Sequence, residues 1–291
     1  MKDFEYVSPK SLKEAVALMA EKGPKARCLA GGTDILVQLR GGRFQIDRLL
    51  DVKNVAELNE LSYSPKDGLT LGAAVPCYRI YEDKTVQKMY PGLADSASLI
   101  GGTQIQGRAS VGGNLCNSSP SGDAIPTLIA HGVTCVIAGP KGQRTVPVEE
   151  FCTGPGRNVL QPGELLVSMK FPSPARNSGA NYLRFIPRNE MDIAVAGVGA
   201  WVQLDASKRK VASARIGLAA VGPTPIFARE AGKFLEGKEA SQSNVEEVAE
   251  MAKKAAKPID DMRGTTKQRV HLVGVLTKRA LTKAIERAKE G

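Results

Sequence analysis

Apolar positions recur at two spacings along this chain, and the spacings sort it into helices and strands. Leu12, Ala15, Val16 and Met19 share one face of a helix that opens at Ser11-Leu-Lys-Glu14, a capping-box sequence, and ends at Gly23. Phe4 to Val7, Arg27 to Ala30 and Arg48 to Val52 read as short strands, with Ile35 to Leu39 a short helix among them. Residues 58–75 alternate apolar runs with Pro65 and Gly68 and predict further strands. Helices follow at Ile80 to Tyr90, broken by Pro91-Gly92, and at Leu93 to Ile100. Ile125 to Ala130 is a helical turn, and Val133 to Ala138, Thr145 to Pro147 and Leu165 to Phe171 are strands. The Ser/Pro/Gly/Asn stretch around Pro172 to Gly179 reads as a linker. Beyond it, Tyr182 to Ile186, Ala194 to Leu204 and Ser213 to Ala220 predict three strands, joined at Asn189-Glu190 and around Lys208. Two helices close the chain. One opens at Ser243-Asn-Val-Glu246, a second capping box; the other starts at Thr265 and aligns Val273, Leu276, Ala280 and Ala284.

One stretch fits neither spacing. From Gln104 to Asp123 the chain reads Gln-Ile-Gln-Gly-Arg-Ala-Ser-Val-Gly-Gly-Asn-Leu-Cys-Asn-Ser-Ser-Pro-Ser-Gly-Asp. It predicts a long loop rich in small donors and acceptors. Successive backbone N–H groups in such a loop can form a nest for an anion, and a diphosphate suits one built from so much backbone. Gly, Ser and Asn are also ordinary turn residues, so a plain surface loop is the competing reading. A second stretch, Leu29-Ala-Gly-Gly-Thr-Asp34, again joins an apolar strand to a Gly pair and a hydroxyl. No G-x-G-x-x-G opens a helix and no G-x-x-x-x-G-K motif occurs. The two Gly-Gly turns therefore suggest one dinucleotide held between two loops.

Composition narrows the classes. Of 291 residues 42% are hydrophobic and 5% aromatic, which supports an aliphatic core. The five cysteines (Cys28, Cys77, Cys116, Cys135, Cys152) stand singly, against a zinc or iron–sulfur site within the chain and against a disulfide framework. The N-terminal residues do not form a signal peptide and no apolar run approaches a membrane span, so the expected location is cytoplasmic. The net charge of +10 raises nucleic acid as a partner, but Lys and Arg are spread out and lack interleaved aromatics. A basic face toward acidic subunits or an anionic cofactor fits better. Only two histidines occur, His131 and His271, both read as structural. No catalytic set or metal cluster is suggested, which suits a protein whose cofactor carries the chemistry.

Ala30-Gly31-Gly32-Thr33-Asp34 together with Ser110-Val111-Gly112-Gly113-Asn114 resembles the FAD-binding subunit of the molybdenum hydroxylases, a family that includes xanthine dehydrogenase and carbon monoxide dehydrogenase. The likeness extends through Phe151-Cys-Thr-Gly-Pro-Gly156, Gly163-Glu-Leu-Leu166, Tyr182 to Ala194 and the C-terminal helices. It implies an α+β fold: a two-part FAD-binding domain of the vanillyl-alcohol-oxidase/PCMH type over residues 1–175, split at 57/58, then a three-stranded antiparallel sheet with helices over 176–291. It implies that Arg27, Cys28, Leu29, Ala30, Gly31, Gly32, Thr33 and Asp34 wrap the FAD diphosphate and ribityl chain. Ala109, Ser110, Val111, Gly112, Gly113 and Asn114 would oppose them, with Ser110 adding a hydroxyl donor. Asp123 would accept from an FAD hydroxyl, although it could equally be a helix cap. Ile100 and Gly101 would lie near the isoalloxazine, and Leu165, Leu166 and Arg184 on its far side. Some relatives carry an aromatic in place of Ile100, and Lys is frequent in place of Arg184.

The resemblance further implies non-covalent FAD, with no extra cluster here because the cysteine-rich insertion of some members is absent. Molybdopterin would sit on a large partner subunit and two 2Fe–2S clusters on a small one, with electrons leaving through FAD to NAD+ or another acceptor. A stand-alone flavin oxidoreductase is the alternative, but it would need acid–base groups for which the sequence offers no candidate. A non-catalytic basic module is the other, and it would lack flavin colour.

Overall fold

The computed structural model describes residues 3–291; Met1 and Lys2, part of the N-terminal stretch read above for a leader, lie outside them. The first unit is a parallel sheet of β1 (Glu5–Val7), β2 (Ala26–Leu29) and β3 (Arg48–Asp51), ordered β1-β3-β2, with α1 (Leu12–Lys22) crossing between the first two strands and α2 (Ile35–Arg40) following β2. The capping box forms as read: Ser11 Oγ accepts from the Glu14 N–H, and the Glu14 carboxylate accepts from the Lys10 N–H. Ala15 and Met19 are the buried face of α1 and pack with Leu50, Val52 and Leu58.

The second unit is a five-stranded antiparallel sheet ordered β4-β5-β10-β6-β7, from β4 (Leu61–Ser64), β5 (Gly68–Gly72), β6 (Thr134–Gly139), β7 (Gly142–Pro147) and β10 (Leu165–Phe171). Between β5 and β6 run six short helices: α3 (Cys77–Glu82), α4 (Lys84–Met89), α5 (Pro91–Ala97), α6 (Thr103–Gln106), α7 (Val111–Asn117) and α8 (Ala124–Ala130). They cover the sheet and bury Ile80, Val86, Leu93, Val111, Leu115 and Leu128 against Leu71, Ile137 and Met169. A small hairpin of β8 (Cys152–Gly154) and β9 (Arg157–Asn158) precedes β10.

The C-terminal unit is antiparallel. Its strands β11 (Ser178–Phe185), β12 (Ala196–Leu204) and β13 (Val211–Ala219) match the three expected, and a two-residue edge strand, β14 (Ile226–Phe227), adds to them. Helices α9 (Arg229–Leu235), α10 (Gln242–Ala255) and α11 (Thr266–Glu290) close one face. Thr265 caps α11, and Val273, Leu276, Ala280 and Ala284 are buried as the periodicity requires.

Four local readings need correction. The segment from Gln104 to Asp123 is not one long loop, because α6 and α7 occupy much of it. Ile80 to Tyr90 divides into α3 and α4 at Asp83, whose extended backbone and side-chain acceptor start a new helix. The second cap is Ser241, not Ser243: its hydroxyl takes the Asn244 N–H, so α10 begins earlier. The linker is shorter than read, since β11 already starts at Ser178.

The last two units lock together. The α8 backbone at Pro126 lies on Gly199 and Gly217, which face each other across β12 and β13. Arg287 of α11 reaches Asp95 of α5 at 2.6 Å, and Asn181 of β11 donates to the same carboxylate at 2.7 Å.

Candidate functional site

β2 ends at Leu29, and the chain turns through Ala30 to Asp34 before α2 begins. Gly32 makes that turn at φ +80°, a conformation that favours glycine. Gly31 is there for a different reason. A Cβ on it would fall 2.1 Å from the Arg108 carbonyl oxygen, and Arg108 Nε donates to the Gly31 carbonyl at 3.1 Å. The two glycine segments therefore touch, as the paired turns suggested. Among the described residues, the backbone N–H groups of Gly31, Gly32, Thr33 and Asp34 have no protein acceptor.

On the opposing segment Ser110 caps α7, its Oγ accepting from the Gly113 N–H at 2.9 Å. Gly112 is pressed on Ala73, where a Cβ would lie 2.4 Å from a carbonyl oxygen. Gly113 is different again: a Cβ there would meet Ser110 Oγ at 3.0 Å and nothing else within 4 Å. It leaves open a space that a side chain would fill.

That space belongs to a cavity of about 440 Å³ between the parallel sheet, α7 and β10. Arg27, Cys28, Ala30, Gly31, Gly32, Thr33, Asp34, Ile100, Ala109, Ser110, Gly112, Gly113, Asn114, Leu165 and Leu166 line it, so the structure gathers most of the residues singled out in the sequence. Five do not line it. Leu29 points into a small core with Leu39, Ile46 and Leu49. Val111 is buried in the helical core. Gly101 serves its own turn at φ +65°, with Ile105 2.7 Å from where a Cβ would stand.

Asp123 and Arg184 are the other two, and they hold each other. Arg184 Nη1 donates to Asp123 at 2.6 Å, and the Tyr182 hydroxyl donates to its second oxygen at 2.7 Å. The Arg184 side chain is only 6% exposed. Burial raises the Asp123 carboxyl, the Arg184 charge and the Tyr182 and Arg184 hydrogen bonds oppose it, and the same burial with the Asp123 charge lifts the Tyr182 phenol. The helix-cap reading of Asp123 fails, because its side chain makes no cap bond; Asn114 instead takes the Ala124 N–H.

Asn117, one of the small donors of the Gln104–Asp123 stretch, lines the cavity too, and so do residues missed in the sequence, among them Gln38, Arg43, Phe44, Gly156, Asn158 and Gln161. Gln38 of α2 donates to Asn117 of α7 at 2.9 Å and ties the two glycine segments a second time. Gly156 lay inside the Phe151–Gly156 motif, which was the one available signal. Nothing local marked the others.

The chemistry of this lining is that of a holder. Among the described residues no group of His, Cys, Asp and Glu is arranged for a metal. Cys28 and Cys116 reach the cavity, but burial pushes the Cys28 thiol up to about 12 and raises Cys116 as well, so both stay protonated and poorly nucleophilic near neutral pH. His131 lies away from it, buried and held near 4 by desolvation and Arg215. Free N–H groups, the open face of Gly113 and apolar walls at Ile100, Leu165 and Leu166 fit a dinucleotide flavin.

Comparison with known proteins agrees. Residues 2–174 match the family model described as FAD binding domain in molybdopterin dehydrogenase, and residues 181–284 match the CO dehydrogenase flavoprotein C-terminal domain. The xanthine dehydrogenase FAD-binding subunit of Escherichia coli O157:H7 is 33% identical over 99% of this chain and 98% of its own. The carbon monoxide dehydrogenase medium chain of Hydrogenophaga pseudoflava is 33% identical over 97% and 96%. Among solved structures, reconstituted CO dehydrogenase from Oligotropha carboxidovorans superposes with a TM-score of 0.93 at 28% identity, over 98% of this chain and 99% of that one. Quinoline 2-oxidoreductase from Pseudomonas putida 86 gives 0.90 at 30% identity, over 99% of each chain. No helix among the described residues is long and apolar enough to cross a membrane. With both family models matched in order along one chain, the protein belongs to the FAD-binding subunits of the molybdenum hydroxylases, the oxidoreductase family of xanthine and carbon monoxide dehydrogenases.

Proposed function

We propose that this chain is the electron-transfer subunit of a molybdenum hydroxylase and binds one FAD non-covalently. The bound flavin supplies the exchange between one-electron donors, the 2Fe–2S clusters of a small partner subunit, and a two-electron acceptor such as NAD+. A large partner subunit with molybdopterin would oxidise the organic substrate. The supporting observation is the pairing of unpartnered N–H groups at Gly31 to Asp34 with the open face of Gly113 across one cavity.

In this reading the backbone from Gly31 to Asp34 binds the diphosphate, and Gly113 leaves room for its oxygens. Ile100, Leu165 and Leu166 shield the ring system from water. Asp123, Tyr182 and Arg184, outside the cavity lining, join the FAD-binding part to the C-terminal sheet. The raised thiols of Cys28 and Cys116 suit a non-covalent site. The division at residues 1–175 and 176–291, with 1–57 and 58–175 as halves of the first, is part of the proposal, as is a cytoplasmic location.

Denaturing the purified yellow protein tests the cofactor. FAD in the supernatant is the expected result; FMN, or flavin retained on the precipitate, overturns it. The partners are tested by affinity capture of the tagged chain from its own host. A molybdopterin subunit and an iron–sulfur subunit are expected, and full dye reduction with an organic substrate by the chain alone would refute the relay.

A further inference from the structure

Among the described residues, two arginines of the cavity lining lack a close ion-pair partner. The Arg27 and Arg43 guanidinium carbons lie over the Phe44 ring, 5.1 and 5.5 Å from its centroid. All three residues line the cavity that holds the free N–H groups. Among the described residues neither arginine has an acidic partner within 4 Å, whereas Arg48, Arg144, Arg184, Arg215, Arg269 and Arg287 each do. Among the described residues Arg27 donates to the carbonyls of Pro24 and Ala26. Arg43 acts on the Asp34 carboxyl from a longer distance, enough to lower it against a larger desolvation that raises it.

Holding two guanidinium groups over one ring costs free energy through like-charge repulsion, and an anion between them would reverse that. The third feature is Gly156, at φ +68°. A Cβ on it would fall 2.5 Å from Arg43 Nη2 and would push that guanidinium tip aside. Gly156 ends the Phe151–Gly156 motif, which the site as described above does not otherwise use.

We propose that Arg27, Phe44 and Arg43, with Arg43 seated by Gly156, form a side-chain clamp for the diphosphate and AMP half of the dinucleotide. The clamp neutralises the phosphates that the backbone nest only hydrogen-bonds, and it makes the site select a dinucleotide flavin over one without phosphate. This rests on the flavin reading above, to which Arg27 already belongs, and extends it to Arg43, Phe44 and Gly156.

The test uses the full-length chain stripped of flavin, with ADP, FAD and riboflavin as probes in a calorimetric or fluorescence titration. Wild type should bind ADP, and raised salt should weaken that binding. Arg43→Gln and Arg27→Gln should each weaken ADP and FAD binding by about ten- to a hundredfold, as for loss of a charge-assisted contact. The salt dependence should flatten and riboflavin binding should stay unchanged. Gly156→Ala should resemble Arg43→Gln; because its φ strains any Cβ, circular dichroism must show it folded, and the variant at the exposed Arg43 decides if it is not. Folded Arg43→Gln and Arg27→Gln proteins that bind ADP with wild-type affinity and salt dependence would overturn the clamp while leaving the flavin site intact. A wild type that binds neither ADP nor FAD would overturn the flavin reading and the clamp with it.

Discussion

At Gly113 an added Cβ would meet one hydroxyl oxygen at 3.0 Å and otherwise open cavity. At the junction with the C-terminal sheet the same addition would fall 2.6 Å from the Pro126 backbone at Gly199 and 2.4 Å from it at Gly217. Both regions are built from small residues. One keeps space for something that is not protein, and the other has already filled its space with a second segment of the chain. Even neighbours divide this way, since Gly112 is closed by Ala73 while Gly113 is open. A glycine-rich stretch therefore marks close approach of backbone without saying whose.

The comparison is broken most severely at Gly217. Gly217→Val puts a branched side chain into rigid backbone on α8, and overpacking without relief should cost at least about 4–5 kcal/mol. The protein should be insoluble or unfolded by circular dichroism, with or without added FAD. A soluble variant melting within a few degrees of wild type would show that the junction is looser than described.

Gly113→Val should do the opposite. The position is in the first turn of α7, where valine is a better helix residue than glycine, so the fold should stand. Loss of two charge-assisted contacts to the diphosphate would cost about 3–6 kcal/mol of binding, roughly a hundredfold to ten-thousandfold in affinity. The expected readout is a normal melting curve with the 450 nm to 280 nm absorbance ratio near zero. Gly107→Ala is the control: it lies in the same segment at φ −62°, where a Cβ would come no closer than 3.9 Å to any neighbour, so its ratio should equal wild type. A folded Gly113→Val protein that keeps its flavin would remove the distinction between the two regions.

Asp123 sits where the regions meet. Asp123→Ala strips the buried Arg184 of its counter-charge and Tyr182 of its acceptor, and should destabilise by about 3–5 kcal/mol in urea titration. Adding Arg184→Met should restore part of that loss, because the unpaired charge goes too. Equal stability of the single and double variants would mean that the pair contributes nothing to joining the two parts.

The smallest effect is a pH window at His131, which ends α8 and packs edge-on against Tyr90 and Phe171. It is 7% exposed and among the described residues its Nε2 has no partner, so the imidazole is buried neutral with its pKa lowered from 6.5 to about 4. Below pH 6.5 the unfolded chain takes up the proton first. Stability is thus full above 6.5 and falls by about 3 kcal/mol as the pH drops to about 4. His131→Phe should match or exceed wild-type stability at pH 7.5 and flatten the decline between 6.5 and 4. An unchanged decline would assign the acid sensitivity to other groups.

What the sequence determined by itself is what depends on near neighbours. The Ser11 cap, the buried face of α11 and the three long strands of the C-terminal sheet follow from hydrogen bonds within a few residues and from a period of 3.6 or 2, so they are legible without any fold. The two Gly-Gly turns were legible as a pair, with the family resemblance adding the expected ligand. Tertiary structure decided the rest. Whether Gly112 or Gly113 opens on the cavity depends on where Ala73 lies, which no neighbour of either residue reveals. Asp123 was read as an acceptor for the cofactor or a cap, yet its two oxygens are taken by Tyr182 and Arg184 from a strand about sixty residues later. Nothing in the sequence around Arg43 and Phe44 shows that the hairpin at Gly156 comes up beside them. Burial, charge pairing and the shape of a cavity are properties of segments brought together from a distance, and local pattern does not encode which segments meet.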